Sequence, residues 1–476
     1  MGKVAKQSFF NSINSYIGVG LGALNTMILF PRIFEPETYG DFQSLMAIIT
    51  IIATFAHLGF PTSVVVFFPK LSREKRAALW TYMLVGISII GLLLGISLAL
   101  IQYLEIYKVP NALIGFIVCL SIIYFELLSA LSQHHNKVVL PQFLRNVFRR
   151  LVITLALASS LFIEEGLQAF YLVFGLGYLS HLIIMLLYAK PDLPPLKWQP
   201  QLVDQKSNLQ YGLMVMLATG SIFLVSKIDI LMIKSMLGSA EVAFYFIAFF
   251  IGSVVSVPVK SVIASIRPFV AKAWARDDLA EIDKLYKKSA ITQLAITGFL
   301  LLLIVTNLDI LLYFLPLRYH FEAFPMVVLC IGLGEVVKGA TGINGMILTV
   351  SNKQHFNFYS GLFLLALTVL GNWLLIPILG LTGAALASLI AISLFNLFKL
   401  FIVQKLFKLI PLSKAYWVLL FCMGISLFAL SLMANTDWPL WLKLVAGNSY
   451  AFGLLLILFK FSKALDDFKV FKFLKS

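Results

Sequence analysis

The sequence predicts an all-α polytopic membrane protein with about fourteen transmembrane helices, and three observations carry that reading. First, 60% of the 476 residues are hydrophobic and only 12% are charged, which leaves no stretch long and polar enough for a separate soluble domain. Second, the apolar residues gather into runs of roughly 20, the length that crosses a hydrocarbon core about 30 Å thick. Third, 29 of the 37 Lys and Arg residues fall at the two ends and in alternate gaps between those runs, with six in the other gaps and two inside the runs. Acidic residues divide almost evenly between the two sets of gaps, as expected of a rule that counts Lys and Arg rather than net charge. Both termini are therefore predicted to be cytoplasmic, and the number of helices even.

The first run, near residues 8–30, follows Lys3 and Lys6 and has the basic start of a signal peptide. It is too polar and lacks a small-residue cleavage pattern, so it reads as a retained helix. Runs near 41–67, 78–101, 112–132, 147–163 and 168–189 complete a first set of six. Residues 190–206, KPDLPPLKWQPQLVDQK, then carry Pro191, Pro194, Pro195 and Pro200, a density that prevents a helix and favours a stiff extended linker. A second six lies near 209–233, 241–265, 289–314, 323–350, 356–376 and 379–403, and two further runs near 414–433 and 439–460 form an appendix.

The predicted organisation is thus a first lobe at 1–189, a linker at 190–207, a second lobe at 208–405, two more helices at 406–461 and a tail at 462–476. Tyr39-Gly40-Asp41-Phe42 opens the second helix much as Val242-Ala243-Phe244-Tyr245 opens the eighth, and Pro69 and Pro268 close them. A repeat that recurs after an even number of helices keeps its orientation, which relates the two halves by an axis along the membrane normal. In the tail, Leu465, Phe468, Phe471 and Leu474 share a face among Lys463, Lys469, Lys472 and Lys475, the pattern of a helix lying along the cytoplasmic leaflet.

Composition also excludes several functions. The formal charge of +15 is accounted for by topology and by the anionic lipid that cytoplasmic loops face, so nucleic acid is not an expected partner. Cys119, Cys330 and Cys422 each fall within a run, forming neither a disulfide framework nor a zinc cluster. His134-His135 has no further ligand at metal spacing, and Asp277-Asp278 and Asp466-Asp467 sit in basic cytoplasmic segments as solvated charges. No enzyme, metal or cofactor motif is present, and none is expected. The external loops, at most about ten residues, are too short for lipid-linked sugar polymerase chemistry.

Polar and small residues recur at spacings of three and four, which places them on one face of a helix. The rows are Ser8, Asn11, Ser15, Gly18, Gly22 and Asn25 in the first helix, and Gln43, Ala47, Thr50, Thr54, His57 and Pro61 in the second. Asn208, Gly212, Thr219, Ser226 and Asp229 mark the seventh, and Ser253, Ser256, Lys260 and Arg267 the eighth. The tenth carries Glu335, Lys338, Gly342, Gly345, Thr349 and Asn352. Helix packing explains any single small residue. The charges need more, since a lysine or carboxylate at the bilayer centre costs upward of about 2.5 kcal/mol, and a water-filled cavity between the halves accounts for them better.

Lys260 lies some 19 residues into the eighth run with no acid three or four positions away; an anion site and snorkelling to the cytoplasmic end both remain open. Arg267 is a cavity cation or an interfacial anchor. Glu335 and Lys338, three apart, are expected to pair, and Asp229 is placed at the external mouth. Glu126, with Ser129 and Gln133 on its face, is a proton site or a satisfied buried acid, and His57 a hydrogen-bonded interior histidine ahead of a switch.

Three stretches resemble bacterial polysaccharide exporters of the oligosaccharide flippase family, in the multidrug/oligosaccharidyl-lipid/polysaccharide superfamily. They are residues 31–70 (PRIFEPETYGDFQSLMAIITIIATFAHLGFPTSVVVFFPK), residues 227–272 followed by the helical stretch 277–288, and residues 351–388 with Asn372, Pro377 and Gly383-Ala384-Ala385. The resemblance implies two six-helix lobes in a V around a central cavity that opens alternately to each side of the bacterial inner membrane. It implies as cargo an undecaprenyl-pyrophosphate-linked oligosaccharide for surface polysaccharide, carried from the cytoplasmic to the external leaflet, with membrane lipids and polysaccharide polymerase machinery as partners. Lys260, Arg267 and Lys338 would then meet the pyrophosphate, and Asn11, Asn25, Gln43, Thr219 and Ser256 the sugar hydroxyls. Glu126, Asp229, Glu335 and His57 are the candidates for ion or proton coupling. One departure stands out: the first helix carries Asn25 but no mid-membrane Arg or Asp, unlike the lipid II flippases of the superfamily. The competing readings are a cation-coupled multidrug exporter of the same superfamily and a membrane enzyme acting on lipid-linked sugars.

Overall fold

Apolar runs in lipid must satisfy every backbone N–H and C=O internally, and helix is the local solution. The computed structural model describes residues 3–104, 111–351, 353, 355–434 and 439–462, and every regular element among them is helical. The predicted amphipathic tail lies outside the described residues, apart from Ser462. Nine helices among the described residues are long and apolar enough to cross a membrane, ten when the bent pair Phe324–Ala340 and Asn344–Val350 counts as one.

The expectation of fourteen helices differs from that number in part because two predicted helices fall in one candidate. One candidate, Phe356–Phe407, is 52 residues long, about twice what a bilayer needs. Its helix has a non-helical residue at Gly380, with φ 59° and ψ −135°. A Cβ on Gly371 would meet Ala387, and the rings of Phe363 and Phe398 lie 5.3 Å apart, so the two legs run back along each other about Gly380. These legs match the predicted eleventh and twelfth helices. The predicted fifth is helical in short consecutive pieces between Val139 and Ser159, and the predicted seventh and fourteenth are helical within Gln205–Met236 and Leu440–Ser462.

Two compact units divide the chain, at 1–227 and 228–476. The division falls inside a helix, whereas the sequence reading places the lobe boundary in the proline-rich segment. That segment holds only short 3-10 turns at Lys190–Asp192 and Pro200–Leu202, as its prolines require.

The first unit begins with α1 (Lys3–Ala23), a π-helical turn at Leu24–Leu29, and α2 (Phe30–Ile33). The predicted second helix is broken: α3 (Pro36–Ala56) and α4 (Phe60–Phe67) flank a left-handed Leu58 and Gly59. After α5 (Arg73–Tyr103) and α6 (Ala112–His134) comes a rod made of α7 (Val139–Phe143), a second π-helical turn (Leu144–Phe148) and α8 (Arg149–Ser159). Then follow α9 (Gly166–Ala189) and α10 (Gln205–Met236), which runs on into the second unit. The α6 helix packs along α9, α3 and α4, and α8 along α9. Phe30, Phe42, Phe170 and Phe174 interlock edge-to-face beside the stacked pair Phe30 and Tyr39, whose centroids are 4.3 Å apart. The break at Gly59 has a steric reason: a Cβ there would lie 2.2 Å from the Gly212 carbonyl oxygen, so the backbones of the break and α10 touch.

In the second unit, α11 (Ser239–Ser253) and α12 (Val257–Trp274) are joined by a 3-10 turn, and α13 (Leu279–Thr306) is capped by Asp278 accepting from the Glu281 N–H. The short α14 (Leu308–Tyr313) follows. The bent pair is α15 (Phe324–Ala340) and α16 (Asn344–Val350), and the hairpin is α17 (His355–Phe407). Last come α18 (Lys414–Ala434) and α19 (Leu440–Ser462). The core forms where α13 meets α15, α18 and α19, around Leu294, Leu301, Leu302 and Leu419.

Candidate functional site

The rod of α7, π-turn and α8 overturns one sequence boundary. Hydropathy starts the fifth helix at residue 147 and leaves Arg145, Arg149 and Arg150 with the cytoplasmic basic residues. The rod instead begins at Val139 and ends at Ser159, so Arg149 stands ten residues from either end. At the helical rise that is about 15 Å, half the thickness of a hydrocarbon core. Arg145, Arg149 and Arg150 thus lie within a continuous helical rod and not in a gap between helices.

Arg145 and Arg149, four apart, share a face turned to α6. Arg145 Nη2 donates to Glu126 Oε2 at 2.6 Å and to Ser129 Oγ at 3.3 Å. Arg149 Nη2 lies 3.7 Å from Glu126 Oε1, within ion-pair range but too long for a hydrogen bond. Its Nε and Nη2 are buried and donate no hydrogen bond. Both guanidinium groups sit over the Phe125 ring, at 5.6 and 4.9 Å, and Arg149 also over Tyr178 at 5.9 Å. His57, the C-cap of α3, lies within electrostatic reach of Glu126 and accepts from the Gly59 N–H through Nδ1 at 3.1 Å. Glu126 is therefore neither isolated nor neutralised by a neighbour on its own helix. It is the counter-charge of two arginines from another segment.

Arg150 points elsewhere, toward α1. A Cβ on Gly22 would lie 3.0 Å from its guanidinium, and one on Gly18 2.5 Å from the Asn146 carbonyl oxygen. Asn25, in the first π-turn, donates to the Arg150 carbonyl at 2.9 Å and accepts from Thr154 Oγ1 at 2.8 Å. The polar row of the first helix, read from sequence as a cavity lining, is from Gly18 to Asn25 a close seam against α8, with Asn25 only 3% exposed and its amide engaged at both ends. The side chains of Asn11 and Thr219 lie outside the described residues. Gln43 is half-buried on α3.

Lys260 and Arg267 behave differently. The predicted eighth helix is interrupted at Val254–Ser256 and resumes as α12, with Pro258 in its first turn. Lys260, Ala264, Arg267 and Ala271 lie along one exposed face of α12 within the second unit. Seven residues separate the two cations, about 10 Å of helical rise. Ser256 donates back to the Ser253 carbonyl at 2.8 Å, which uses its proton within its own turn. Lys338 pairs with Glu335 at 2.6 Å, as the spacing of three anticipates.

Asp229 is not at an open mouth. It is 3% exposed and accepts from Tyr245 Oη at 2.9 Å, Asn372 Nδ2 at 2.7 Å and Ser388 Oγ at 2.6 Å. One carboxylate thereby ties α10 to α11 and to both legs of α17. Sequence reasoning missed Tyr245, Ser388 and this use of Asn372. Three donors thus converge on the one carboxylate, while Asn372 Oδ1, at the other end of its amide, has no hydrogen-bond partner. Among the described residues no three His, Cys, Asp or Glu side chains are grouped to hold a metal.

The comparisons agree with this architecture. Residues 4–274, more than half of the chain, match the family model described as "Polysaccharide biosynthesis protein". No curated protein sequence is significantly similar to the chain. Among solved structures, the lipid II flippase MurJ in an inward closed conformation is similar with a TM-score of 0.75 and 16% identity, covering 96% of this chain and 99% of that one. An inward-facing multidrug resistance MATE family transporter of the MOP superfamily is similar with a TM-score of 0.65 and 11% identity, over 83% of this chain and 94% of its own. A MOP superfamily transporter from Pyrococcus furiosus gives 0.61 and 13%, over 86% and 96%. At these identities the likeness concerns the fold alone, an all-helical multi-pass one.

Proposed function

Since the chain belongs to the polysaccharide biosynthesis protein family, we propose that it is a flippase that carries a polyprenyl-pyrophosphate-linked oligosaccharide from the cytoplasmic to the external leaflet of a bacterial inner membrane. The cargo serves surface polysaccharide assembly, and the polymerase machinery is the natural recipient. The observation that carries this reading is the cationic interior of the first unit, where Arg145, Arg149 and Arg150 outnumber Glu126 in the middle of a helical rod. Charge at that depth is expensive unless it is matched. A diphosphate diester brings two negative charges, the match for the two guanidinium groups of Arg145 and Arg149. In this reading the cations missing from the first helix come from the fifth, and Lys260 and Arg267 on α12 supply a second cationic strip. Both termini are cytoplasmic, and alternating access moves the headgroup while the lipid tail stays in the bilayer. No bond of the cargo is made or broken.

Ion coupling belongs to Asp229, whose buried oxygens suit a monovalent cation or a proton. The same feature favours a second reading, a cation-coupled multidrug exporter. Reconstituted vesicles separate the two. With a fluorescent polyprenyl-diphosphate oligosaccharide in the inner leaflet, the protein should expose it to an external quencher. Arg149→Gln should abolish that exposure. Drug efflux without lipid translocation would overturn the flippase reading.

A further inference from the structure

Glu126 occupies the place that a phosphate oxygen would need. Its two oxygens face Arg145 at 2.6 Å and Arg149 at 3.7 Å, and the second of these is an ion pair without a hydrogen bond. Arg149 thus reaches the site with buried N–H groups still unused, while Arg145 spends its closest donor on an internal carboxylate. Other groups besides Glu126 surround the two guanidinium groups. Phe125 lies beneath both, Tyr178 flanks Arg149, and the ring of His181, 4.0 Å from Phe125, closes the far side without a hydrogen bond. The arginines therefore keep ring contacts that do not involve Glu126.

Resting on the flippase reading, we propose that Glu126 is a resident counter-anion that the cargo's diphosphate displaces on binding and that reclaims Arg145 and Arg149 on release. Two consequences follow. In the empty protein the carboxylate stabilises the arginines and so weakens diphosphate binding by competition. After translocation the same carboxylate recaptures the arginines and speeds departure of the diphosphate. Affinity is held down so that turnover can proceed. Phosphate chemistry could also come from a bilayer lipid headgroup, and the two sources differ in charge: a phosphodiester headgroup such as phosphatidylglycerol carries one negative charge, the cargo's diphosphate diester two and free undecaprenyl pyrophosphate up to three.

The test uses the full chain in nanodiscs of neutral lipid, titrated with undecaprenyl pyrophosphate and separately with phosphatidylglycerol. Glu126→Gln should bind undecaprenyl pyrophosphate about tenfold more tightly than wild type, the equivalent of about 1.4 kcal/mol, yet translocate more slowly over repeated turnovers. Glu126→Asp, which keeps the charge, should stay near wild type, and Arg149→Gln should lose binding in either background. A merely structural role would lower binding and turnover together. Unchanged or weaker binding by folded Glu126→Gln, with Arg149→Gln still defective, overturns the counter-anion while leaving the flippase reading intact. Wild type that binds no diphosphate, or is indifferent to Arg149→Gln, overturns both. Phosphatidylglycerol binding as tightly as the diphosphate assigns the site to bulk lipid and also overturns the proposal.

Discussion

Replacing Asp229 separates structural from coupling roles because the two obvious substitutions act on different terms. Asp229→Leu leaves Tyr245 Oη, Asn372 Nδ2 and Ser388 Oγ without an acceptor in a site that is 3% exposed. At about 1–3 kcal/mol for each buried donor left unmade, the loss is about 3–9 kcal/mol. A domain stable by about 5–15 kcal/mol does not survive the upper part of that range, so this variant should accumulate poorly or melt far below wild type. Asp229→Asn keeps the shape. Its oxygen can accept from Tyr245 and Ser388, and its new NH2 can donate to Asn372 once that side chain turns to present Oδ1, which has no partner now. The cost should then stay near 1 kcal/mol, the difference between charge-assisted and neutral bonds being offset by relief of a buried charge. What Asp229→Asn should lose is a response to cation. A site on the folded state occupied at 100 times its dissociation constant adds about 2.7 kcal/mol, so NaCl in place of choline chloride should raise the melting temperature of wild type and not of Asp229→Asn. Equal melting of wild type and Asp229→Leu would refute the hydrogen-bonding argument. An equal sodium response in wild type and Asp229→Asn would refute the coupling role.

Two further outcomes follow from the geometry. Gly59→Ala drives a Cβ to 2.2 Å from the Gly212 carbonyl oxygen at a φ of 69°, whereas Gly238→Ala, with φ 110° and nothing within 4 Å, meets conformational strain alone. Left-handed backbone at Gly59 costs an ordinary residue about 1–2 kcal/mol and the glycine region at Gly238, with ψ 176°, about 1–3 kcal/mol, so the clash decides: thermal melting should show Gly59→Ala clearly less stable than Gly238→Ala, and equal melting would mean that the backbones do not touch. Lys260→Ala should lose surface polysaccharide at normal expression while Lys260→Arg keeps part of it, because charge persists though its geometry changes; normal export by the alanine variant would remove Lys260 from the anion path.

Much of the fold was legible because lipid forces backbone and side-chain chemistry to agree: apolar length marked the helices, prolines marked the linker, and a spacing of three announced the Glu335–Lys338 pair. The arginine site was harder for the same reason. A hydropathy window avoids charge, so it cut the fifth helix at the residues that matter. Two signals were nonetheless present. Arg145 and Arg149 stand four apart in a run that can continue as helix from Val139, and Glu126 had no cation on its own helix. The seam along Gly18, Gly22 and Asn25 was misassigned because small polar faces serve cavities and close packing alike. Only the partner's position decides between them, and Gly22 and Asn25 meet Arg150 and Thr154 on α8. Asp229 could not be paired from sequence, since Asn372 and Ser388 lie 143 and 159 residues further on.

That last separation sets a clock for biogenesis. Ribosomes add about 5–20 residues per second, so Asn372 is made about 7–30 s after Asp229, and Ser388 later still. Through that interval the carboxylate has only Tyr245, 16 residues on, among its three final donors. The Glu126–Arg145 pair, 19 residues apart, forms within the span of one emerging hairpin. The first unit can therefore close its charges while the chain is still growing. The second must keep an unfinished acidic site away from lipid until the α17 hairpin arrives, and a chain that stalls before Ser388 presents the quality-control proteases with that open carboxylate.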